Sequence, residues 1–389
     1  MPEPRAATHA VKRFKRILLM HVSMTGRGHY RASVAVEQAL QRLEPSTHVL
    51  NVDAFTYTNP ILKRLLTRTY GNLITVRPDV WEYLYDNPRV LRQVRVLREL
   101  LHRYNARKLG RLIQHFAPDV IACTQAFPCG MAADYRQMRL LQTPVVGILT
   151  DHAPHAYWFY DSVSAYVVPS EAEAQVFRSH GIGLERVRPF GIPIDPQFGQ
   201  PPRPLEEIRH RWGLTGRLPV VVVMGGGQGL GPMRQMVRAL QESSSDLQLV
   251  VLAGSNRWLR RWLKRKGRRQ IFTKPMRVEG YVNDVRDLMD VASVLVTKPG
   301  GLTTAEALSR GLPMVFIQPL PGQEMYNARF LTEHGCAVWA ASVEDGAHVV
   351  GGLLQHPARL SLMRQAARDA GRPEAALRTA RLLLKLCDR

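Results

Sequence analysis

Cysteine is scarce in this sequence of 389 residues. The four cysteines that occur, Cys123, Cys129, Cys336 and Cys387, form no CxxC pair. Their number and spacing argue against a disulfide framework and against a zinc site, and they favour a reducing compartment. We therefore expect a cytoplasmic protein.

Long hydrophobic runs are missing as well. The first apolar stretch, Ile17–Val22, is too short for the core of a signal peptide, and no cleavage-like site follows it. No stretch approaches the roughly 18 consecutive apolar residues that a membrane-spanning helix needs. The sequence therefore predicts a protein that is soluble or attached peripherally to the cytoplasmic face of a membrane.

Acidic residues are few relative to basic ones. The chain has 32 Asp and Glu against 53 Lys and Arg, which gives a formal net charge of +21. Such a surface attracts nucleic acid, anionic lipid or polyanionic substrates, and the charge alone does not choose among them. The length suits two domains of roughly 150–200 residues each.

Short apolar segments alternate with longer segments of helical period, such as Ala32–Leu43 and Val90–Phe116. This alternation predicts βαβ units and parallel, doubly wound sheets of the α/β class. The predicted strands are Ile17–Val22, Val120–Thr124, Pro144–Leu149 and Ala165–Val168 in a first set, and Pro219–Met224, Leu247–Ala253, Val294–Thr297 and Pro313–Ile317 in a second.

A proline-rich segment, 193–204, separates the two sets. Proline at this density favours neither helix nor central strand, so we interpret the segment as the connection between two domains. We predict an N-terminal Rossmann-like domain over residues 1–198 and a C-terminal one over 199–370. A last helix over 371–389 is expected to pack back on the first domain. The carboxyl ends of both sheets would face one interdomain cleft.

Three glycine-rich corners follow predicted strands. The first, Thr25–His29, suits either an anion at a helix start or a plain tight turn, since it matches neither GxGxxG nor a P-loop. The second, Gly225–Gly231, has five glycines in seven residues and favours binding of a phosphate or sugar by the backbone. The third, Thr297–Glu306, indicates a diphosphate on a helix N-terminus, a capping box formed by Thr and Glu, or both.

Several motifs together resemble those of one family. They are Gly26–His29 with Arg31–Ser33, Thr150–Trp158, Val168–Ser170, Gly191–Ile194, Met224–Pro232, Gly280–Val282, Gly300–Leu308, and Pro321–Glu324 with Asn327. In these the chain resembles the monogalactosyldiacylglycerol synthases and the bacterial diacylglycerol glucosyltransferases and, more distantly, the glycosyltransferase that makes lipid II. Arg27 departs from the family pattern, which usually has a small residue there, and this difference could alter the acceptor pocket.

The resemblance implies a GT-B fold and an inverting transfer of a hexose from UDP-glucose or UDP-galactose to diacylglycerol. Val282 would hold uracil through its backbone, and Glu306 would bind the ribose hydroxyls. The other donor-binding residues that the resemblance implies are Gly226, Gly227, Gln228, Gly229, Gly301, Leu302, Thr303, Gln323, Glu324 and Asn327. On the acceptor side it implies Gly28, His29, Asp151 and His155.

A base assists this reaction because a lipid hydroxyl is a weak nucleophile towards the anomeric carbon. His29 is the candidate base, while Asp151 either orients a histidine or is itself the base, and the sequence leaves these roles open. No Asp-x-Asp pair follows a strand in a donor-side position. We therefore expect no metal or other cofactor, with a helix dipole and loop amides stabilising the departing diphosphate.

Three basic segments have cations interleaved with apolar residues: Ile61–Arg68, Arg89–Arg111 and Arg257–Lys266. Each suits an anionic membrane, and the first two also suit ordinary surface helices. Trp258 and Trp262 are four residues apart and therefore share one helical face, which fits a membrane interface or a nucleic-acid patch. We favour lipid because the other motifs indicate a lipid acceptor.

The expected partners are thus a UDP-sugar, a lipid acceptor and an anionic membrane surface, without nucleic acid. One alternative is an N-acetylglucosaminyltransferase acting on a polyprenyl-linked or other lipid acceptor. A more distant alternative, suggested by charge alone, is a non-catalytic nucleic-acid-binding protein, which would have no use for the third corner together with His29. The sequence does not distinguish glucose from galactose, and it reveals neither processivity nor oligomeric state.

Overall fold

The computed structural model describes residues 14–23, 27–57, 108–319 and 322–388. Within these residues two six-stranded sheets form, and every strand pair in both sheets is parallel. Most strands consist of Val, Ile and Leu runs that are buried along their length, which is the pattern of a parallel sheet covered by helices on both faces. The prediction of two doubly wound α/β units is confirmed.

The first sheet has the strand order β2-β1-β3-β4-β5-β6. Chain order reverses between β1 and β3, and this reversal opens a crevice at the carboxyl ends of those two strands. The strands are Arg16–His21 (β1), His48–Asp53 (β2), Val120–Cys123 (β3), Val145–Ile148 (β4), Ala165–Val167 (β5) and Val187–Arg188 (β6). The helices described in this unit are Gly28–Leu43 (α1), 108–116 (α2), Ala126–Gln137 (α3) and Glu171–Ser179 (α4).

Alternating residues of β1 face two separate cores. Ile17 and Leu19 pack with apolar residues of α1, whereas Leu18 and Met20 belong to the cluster formed by α3 and α4. Because side chains of a strand alternate between its faces, this division places helices on both sides of the sheet.

The second sheet has the strand order β12-β11-β10-β7-β8-β9. Its reversal lies between β7 and β10, so the loops after these two strands flank the second crevice. The strands are Val220–Met224 (β7), Gln248–Leu252 (β8), Met276–Glu279 (β9), Val294–Thr297 (β10), Met314–Ile317 (β11) and Ala337–Ala340 (β12). The helices that follow the first unit are Leu205–Arg211 (α5), Met233–Glu242 (α6), Arg257–Arg268 (α7), Arg286–Val291 (α8), Gly301–Ser309 (α9), Gln323–Glu333 (α10), Val343–Gln355 (α11), Pro357–Ala370 (α12) and Ala375–Cys387 (α13).

The chain crosses from the first unit to the second through the proline-rich segment, which contains a short 3-10 helix at Pro196–Gly199. The guanidinium of Arg310 donates hydrogen bonds to the carbonyls of Phe198 and Gln200, at 2.9 and 3.0 Å. Arg286 donates to the carbonyl of Gln197 at 3.0 Å. These bonds hold the connection against the second unit.

The last helix, α13, returns to the first unit. Ala376, Ala380, Leu383 and Leu386 are buried in the same cluster as Ile17 of β1 and the apolar side of α1. Helix α13 therefore completes the hydrophobic core of the first unit.

Parts of several predicted segments lie outside the described residues. They are Ile61–Arg68, residues 89–107 of the second basic segment and of the predicted helix Val90–Phe116, Thr25 and Gly26 of the first glycine-rich corner, and Pro321.

Candidate functional site

A cavity of about 350 Å³ lies between the two units at the carboxyl ends of their sheets. Residues from the first unit that line it include Gly28, His29 and Asp151. All the predicted site residues line this cavity except His155 and Gly229. The structure thus brings the donor-side and acceptor-side candidates into one cleft, which is the arrangement expected from two facing crevices.

The loop after β7 is stabilised by hydrogen bonds within its own backbone. The amide of Gly229 donates to the carbonyl of Gly226 at 3.1 Å, and the amide of Leu230 donates to that of Gly225 at 2.9 Å. Gly226 and Gly229 have φ of +67° and +63°, which disfavour any residue with a Cβ. The glycines therefore form a tight turn whose surface towards the cleft consists largely of backbone.

Helix α9 begins at Gly301, directly after β10 and the Gly300 N-cap, and no side chain caps its first turn. The capping-box interpretation is wrong, because Thr304 Oγ1 donates to the carbonyls of Gly300 and Gly301 and the predicted cap is absent. The first-turn amides lie on the cleft wall with the positive end of the helix dipole. This wall favours a negatively charged group.

Lys298 precedes this helix and was given no role from the sequence. Its ammonium pairs with the carboxylate of Glu324. A Cβ on Gly226 would lie 3.3 Å from Lys298 Cε, and a Cβ on Gly300 would lie 3.9 Å from Nζ. The cation thus sits between the two glycine corners and beside a predicted sugar-binding residue. The available sequence signal was its position between the end of a strand and the Gly300-Gly301 pair.

His29 is held by the loops that follow β3 and β4. Its Nδ1 lies 2.8 Å from the carbonyl oxygen of Thr124 and 2.9 Å from Thr150 Oγ1. A carbonyl oxygen only accepts hydrogen bonds, so Nδ1 carries the proton and Nε2 carries the lone pair. Thr124 Oγ1 in turn donates to the carbonyl of His29 at 2.9 Å. The imidazole is therefore fixed in the tautomer that can accept a proton at Nε2.

Burial changes the protonation of several groups around the cleft. It lowers the pKa of His29 to about 4 and raises the pKa of Asp151 to about 7, the latter despite a hydrogen bond from the amide of Ala153. Burial also raises the pKa of Glu306 to about 7, against the influence of Arg31. At neutral pH His29 is therefore uncharged, and the two carboxyl groups are poised between their protonated and ionised forms.

His155 lies behind the cleft wall. Its ring packs near Tyr157 and Trp158, with centroid distances of 5.7 and 6.3 Å, and burial lowers its pKa to about 3. Gly229 is also set back, since a Cβ there would overlap the carbonyl of Ala253. These two residues support the walls from behind, and the structure does not place them at the cavity surface.

Asn327 reaches the cavity but uses its amide to join the two units. Its Nδ2 donates to the carbonyl of Pro299 at 2.9 Å, and its Oδ1 accepts from the amide of His152 at 2.7 Å. The ring of His152 stacks on Phe330 of the same helix at 3.9 Å and pairs with Glu173 at 2.9 Å. The loop after β4 is thereby fastened to α10.

Two arginines at the start of α1 contact the second unit across the cleft. The guanidinium of Arg27 lies 5.2 Å from the centre of the Tyr281 ring, and Arg31 donates to the carbonyl of Asn283 at 3.5 Å. Sequence reasoning noted Arg27 only as a departure and gave Tyr281 no role of its own. The sequence carries only a weak signal for the contact between Arg27 and Tyr281, because these residues are far apart in the chain.

Comparison with known proteins matches both units. The family model of monogalactosyldiacylglycerol (MGDG) synthase matches residues 29–194, and that of the glycosyltransferase family 28 C-terminal domain matches residues 220–354. A processive diacylglycerol beta-glucosyltransferase of Bacillus pumilus is 28% identical over 90% of this chain and 90% of its own. Monogalactosyldiacylglycerol synthase 1 of Arabidopsis thaliana is 27% identical over 94% of this chain and 69% of its own. Both units of the chain are thus similar to this group of glycosyltransferases.

Solved structures share the fold of this chain. MurG of Acinetobacter baumannii superposes with a TM-score of 0.60 at 16% identity, over 95% of this chain and 99% of its own. HepE of Anabaena, solved in complex with UDP-glucose, superposes with a TM-score of 0.55 at 15% identity, over 95% of this chain and 99% of its own. The two parallel sheets and their flanking helices form a GT-B fold.

The sequence also predicted contact with a membrane surface. Among the helices that the structure describes, none is both long and apolar enough to cross a bilayer. The basic helix α7 buries only Leu259 and Leu263, whereas Trp258 is 53% exposed. The guanidinium of Arg234 lies 4.9 and 5.0 Å from the rings of Trp258 and Trp262, so these tryptophans share one face as predicted.

Proposed function

We propose that this protein transfers a hexose from a UDP-sugar to diacylglycerol, with inversion at the anomeric carbon, and so forms a membrane glycolipid. The observation that carries the proposal is the convergence of Glu306, Gln323 and Glu324 with His29 on one cavity. Similarity to the MGDG synthases and to the diacylglycerol glucosyltransferases supports the lipid acceptor.

The donor is proposed to lie along the second unit. Uracil would meet the backbone of Val282 and the ribose hydroxyls would meet Glu306, both of which line the cavity. The diphosphate would occupy the uncapped start of α9 beside the glycine turn after β7. In this position the sugar lies next to Gln323 and Glu324, with its anomeric carbon towards the first unit.

Proton removal from the acceptor is assigned to the His29 and Asp151 pair. The fixed tautomer of His29 leaves Nε2 able to accept the hydroxyl proton, but its lowered pKa makes it a weak base. Asp151 is a stronger base, since its pKa is raised to about 7. Either group becomes protonated as the oxygen–carbon bond forms and the bond to UDP breaks.

Charge on the departing UDP is proposed to be stabilised by the first-turn amides of α9 and by the Lys298 ammonium. Both are fixed before the reaction, and preorganised charge of this kind contributes strongly in a site that excludes water. We propose that no metal is required. Turnover should therefore be unchanged by EDTA, and restoration of activity by added Mg²⁺ after chelation would overturn this part of the proposal.

The protein is proposed to act at the cytoplasmic face of a membrane without spanning it. Helix α7 provides cations and an exposed tryptophan, a combination that suits an anionic interface.

Product analysis tests the proposed function. Purified protein is incubated with diacylglycerol vesicles and, in separate reactions, UDP-glucose, UDP-galactose and UDP-N-acetylglucosamine, and the lipids are identified by mass spectrometry. A hexosyl-diacylglycerol with inverted configuration is expected. Transfer of N-acetylglucosamine to a polyprenyl phosphate acceptor in a parallel reaction, without a diacylglycerol product, would favour the alternative enzyme.

A thermal-unfolding measurement separates the enzyme from a nucleic-acid-binding protein. UDP should raise the melting temperature of the wild-type protein, because a ligand that binds only the folded state stabilises it. Glu306→Ala should abolish most of this increase. Stabilisation by single-stranded nucleic acid and not by UDP would contradict the proposal.

A further inference from the structure

A second cavity, of about 370 Å³, lies on the first unit between the edge strand β6 and the last helix α13. It shares no lining residue with the interdomain cleft. Its lining is cationic and apolar, and consists of Arg188, Phe190, Arg378, Arg381, Leu382, Lys385 and Leu386. We call it the α13 groove.

Four cations converge on the α13 groove from two distant parts of the chain. Arg378, Arg381 and Lys385 follow one another at spacings of three and four, so they share one face of α13, and Arg188 faces them from β6. Within the described residues no carboxylate oxygen lies within 4.0 Å of any of these cationic groups. Like charges gathered in this way repel one another, and an anionic ligand relieves that repulsion.

The interior of the groove is apolar. Leu382 and Leu386 lie one turn apart on α13 among the cations, and Phe190 lies opposite. The guanidinium of Arg378 already covers the Phe190 ring, 4.4 Å from its centre. That face of the ring is therefore occupied and does not offer the open stacking platform that nucleic-acid bases need. A ligand with an anionic head and aliphatic carbons matches both parts of the lining.

We propose that the α13 groove binds an anionic phospholipid, with the phosphate on the cations and the proximal acyl carbons against Leu382 and Leu386. The proposal rests on the proposed function only in that a lipid acceptor brings the protein to a membrane. The groove belongs to the unit that carries His29 and Asp151, so an anionic lipid bound there would anchor the acceptor-side unit at the bilayer.

Vesicle binding tests the proposal. Co-sedimentation is measured with vesicles of phosphatidylcholine alone and of phosphatidylcholine mixed with phosphatidylglycerol, at fixed low salt. The wild-type protein should bind only the mixed vesicles. The variant R378Q/R381Q/K385Q should bind them roughly a hundredfold more weakly, since each cation near an anionic surface contributes about a factor of five.

The control variant R217Q/R329Q/R359Q removes the same charge from exposed positions on the second unit. It should retain vesicle affinity within about threefold, because only weak long-range attraction is lost. Both variants should keep the wild-type melting temperature and UDP affinity, since the altered side chains of the test variant are exposed and lie outside the cleft. An equal loss in both variants, or no loss in the groove variant, would overturn the proposal.

Two further measurements define the ligand. Leu382→Asn should weaken vesicle binding while leaving the cations intact, and inorganic phosphate should fail to displace the vesicles at equal phosphate concentration. Displacement by inorganic phosphate, or tighter groove-dependent binding of single-stranded RNA, would refute the lipid assignment.

Failure of the proposed enzymatic function is recognised separately. It would appear as the absence of hexosyl-diacylglycerol in detergent micelles, with vesicle binding still dependent on the groove.

Discussion

At the scale of single residues, Lys298 is the most informative addition to the predicted site. It lies between the two glycine corners and pairs with Glu324, so it can stabilise negative charge on a leaving diphosphate and also orient a sugar-binding carboxylate. Lys298→Met should lower kcat about 10²- to 10³-fold, the range for loss of one preorganised stabilising group. Steady-state kinetics with saturating UDP-sugar measures this effect.

Lys298→Arg is the matched control, since it keeps the charge while changing its shape. It should retain more activity than Lys298→Met. If both variants lost UDP-sugar affinity with no change in kcat, Lys298 would act in ground-state binding alone.

The dependence of kcat on pH distinguishes the two candidate bases. If Asp151 removes the proton, kcat should rise with pH and level off above about 7, because burial raises the pKa of this carboxyl to about 7. If His29 is the base, the corresponding rise should lie near pH 4, and kcat should be flat from pH 6 to 8. Glu306 also has a pKa of about 7, so the profile is repeated with Glu306→Gln at saturating donor.

A rise near pH 7 that survives in Glu306→Gln and disappears in Asp151→Asn would assign the base to Asp151. The free energy of unfolding should also depend on pH through these groups, with one sign for the two carboxyl groups and the opposite sign for His29. The raised pKa of Asp151 and Glu306 lowers stability as pH increases from about 4 to 7, whereas the lowered pKa of His29 costs stability as pH falls below about 6.5.

The resemblance implied half of the residues that line the cleft, and their motifs follow parallel strands, whose carboxyl ends meet at one edge. It could not show what each side chain does there. Asn327 is an example: the resemblance implied a donor-binding role, and the structure shows in addition that its amide joins Pro299 to His152 of the other unit. Such a contact depends on how the two units meet, which no local pattern encodes.

At the scale of elements, the predicted strands were those buried on both faces. The four missed strands, β2, β6, β9 and β12, are the edge strands of the two sheets and are short or partly exposed. Met276–Glu279, for example, contains two charged residues. Such strands show neither a clear alternation of apolar and polar residues nor a continuous apolar run, which are the patterns that predict a strand. The central strands could be predicted without tertiary information, whereas the edge strands of both sheets could not.

The last helix gives a prediction at this scale. Leu383 is fully buried with Ile17 in the core of the first unit, so Leu383→Ala should destabilise that unit by about 3 kcal/mol. Hydrogen–deuterium exchange of β1 measures the effect, because two units can unfold separately. Leu362→Ala, at a side chain that is 73% exposed on α12, should change stability by less than about 0.5 kcal/mol. Equal protection of β1 in both variants would show that α13 is dispensable for the first core.

At the scale of the whole molecule, the reaction depends on how the two units approach each other. The first residue of α9, Gly301, lies directly against the Thr150 carbonyl of the first unit, and a Cβ at this position would overlap that oxygen. The missing side chain therefore permits the spacing at which His29, itself bonded to Thr150, faces the donor side of the cleft.

Gly301→Ala tests this dependence of chemistry on domain spacing. The backbone at Gly301 is ordinary helix, so alanine adds no local strain, and the second unit should fold and bind UDP as before. The added methyl group pushes the units apart, and kcat should fall on the order of a hundredfold, as displacements near 1 Å do. Gly300→Ala is the control, since its Cβ would meet only Lys298 Nζ at 3.9 Å. Wild-type turnover in Gly301→Ala, measured beside UDP affinity by calorimetry, would mean that the units react in an arrangement more open than this one.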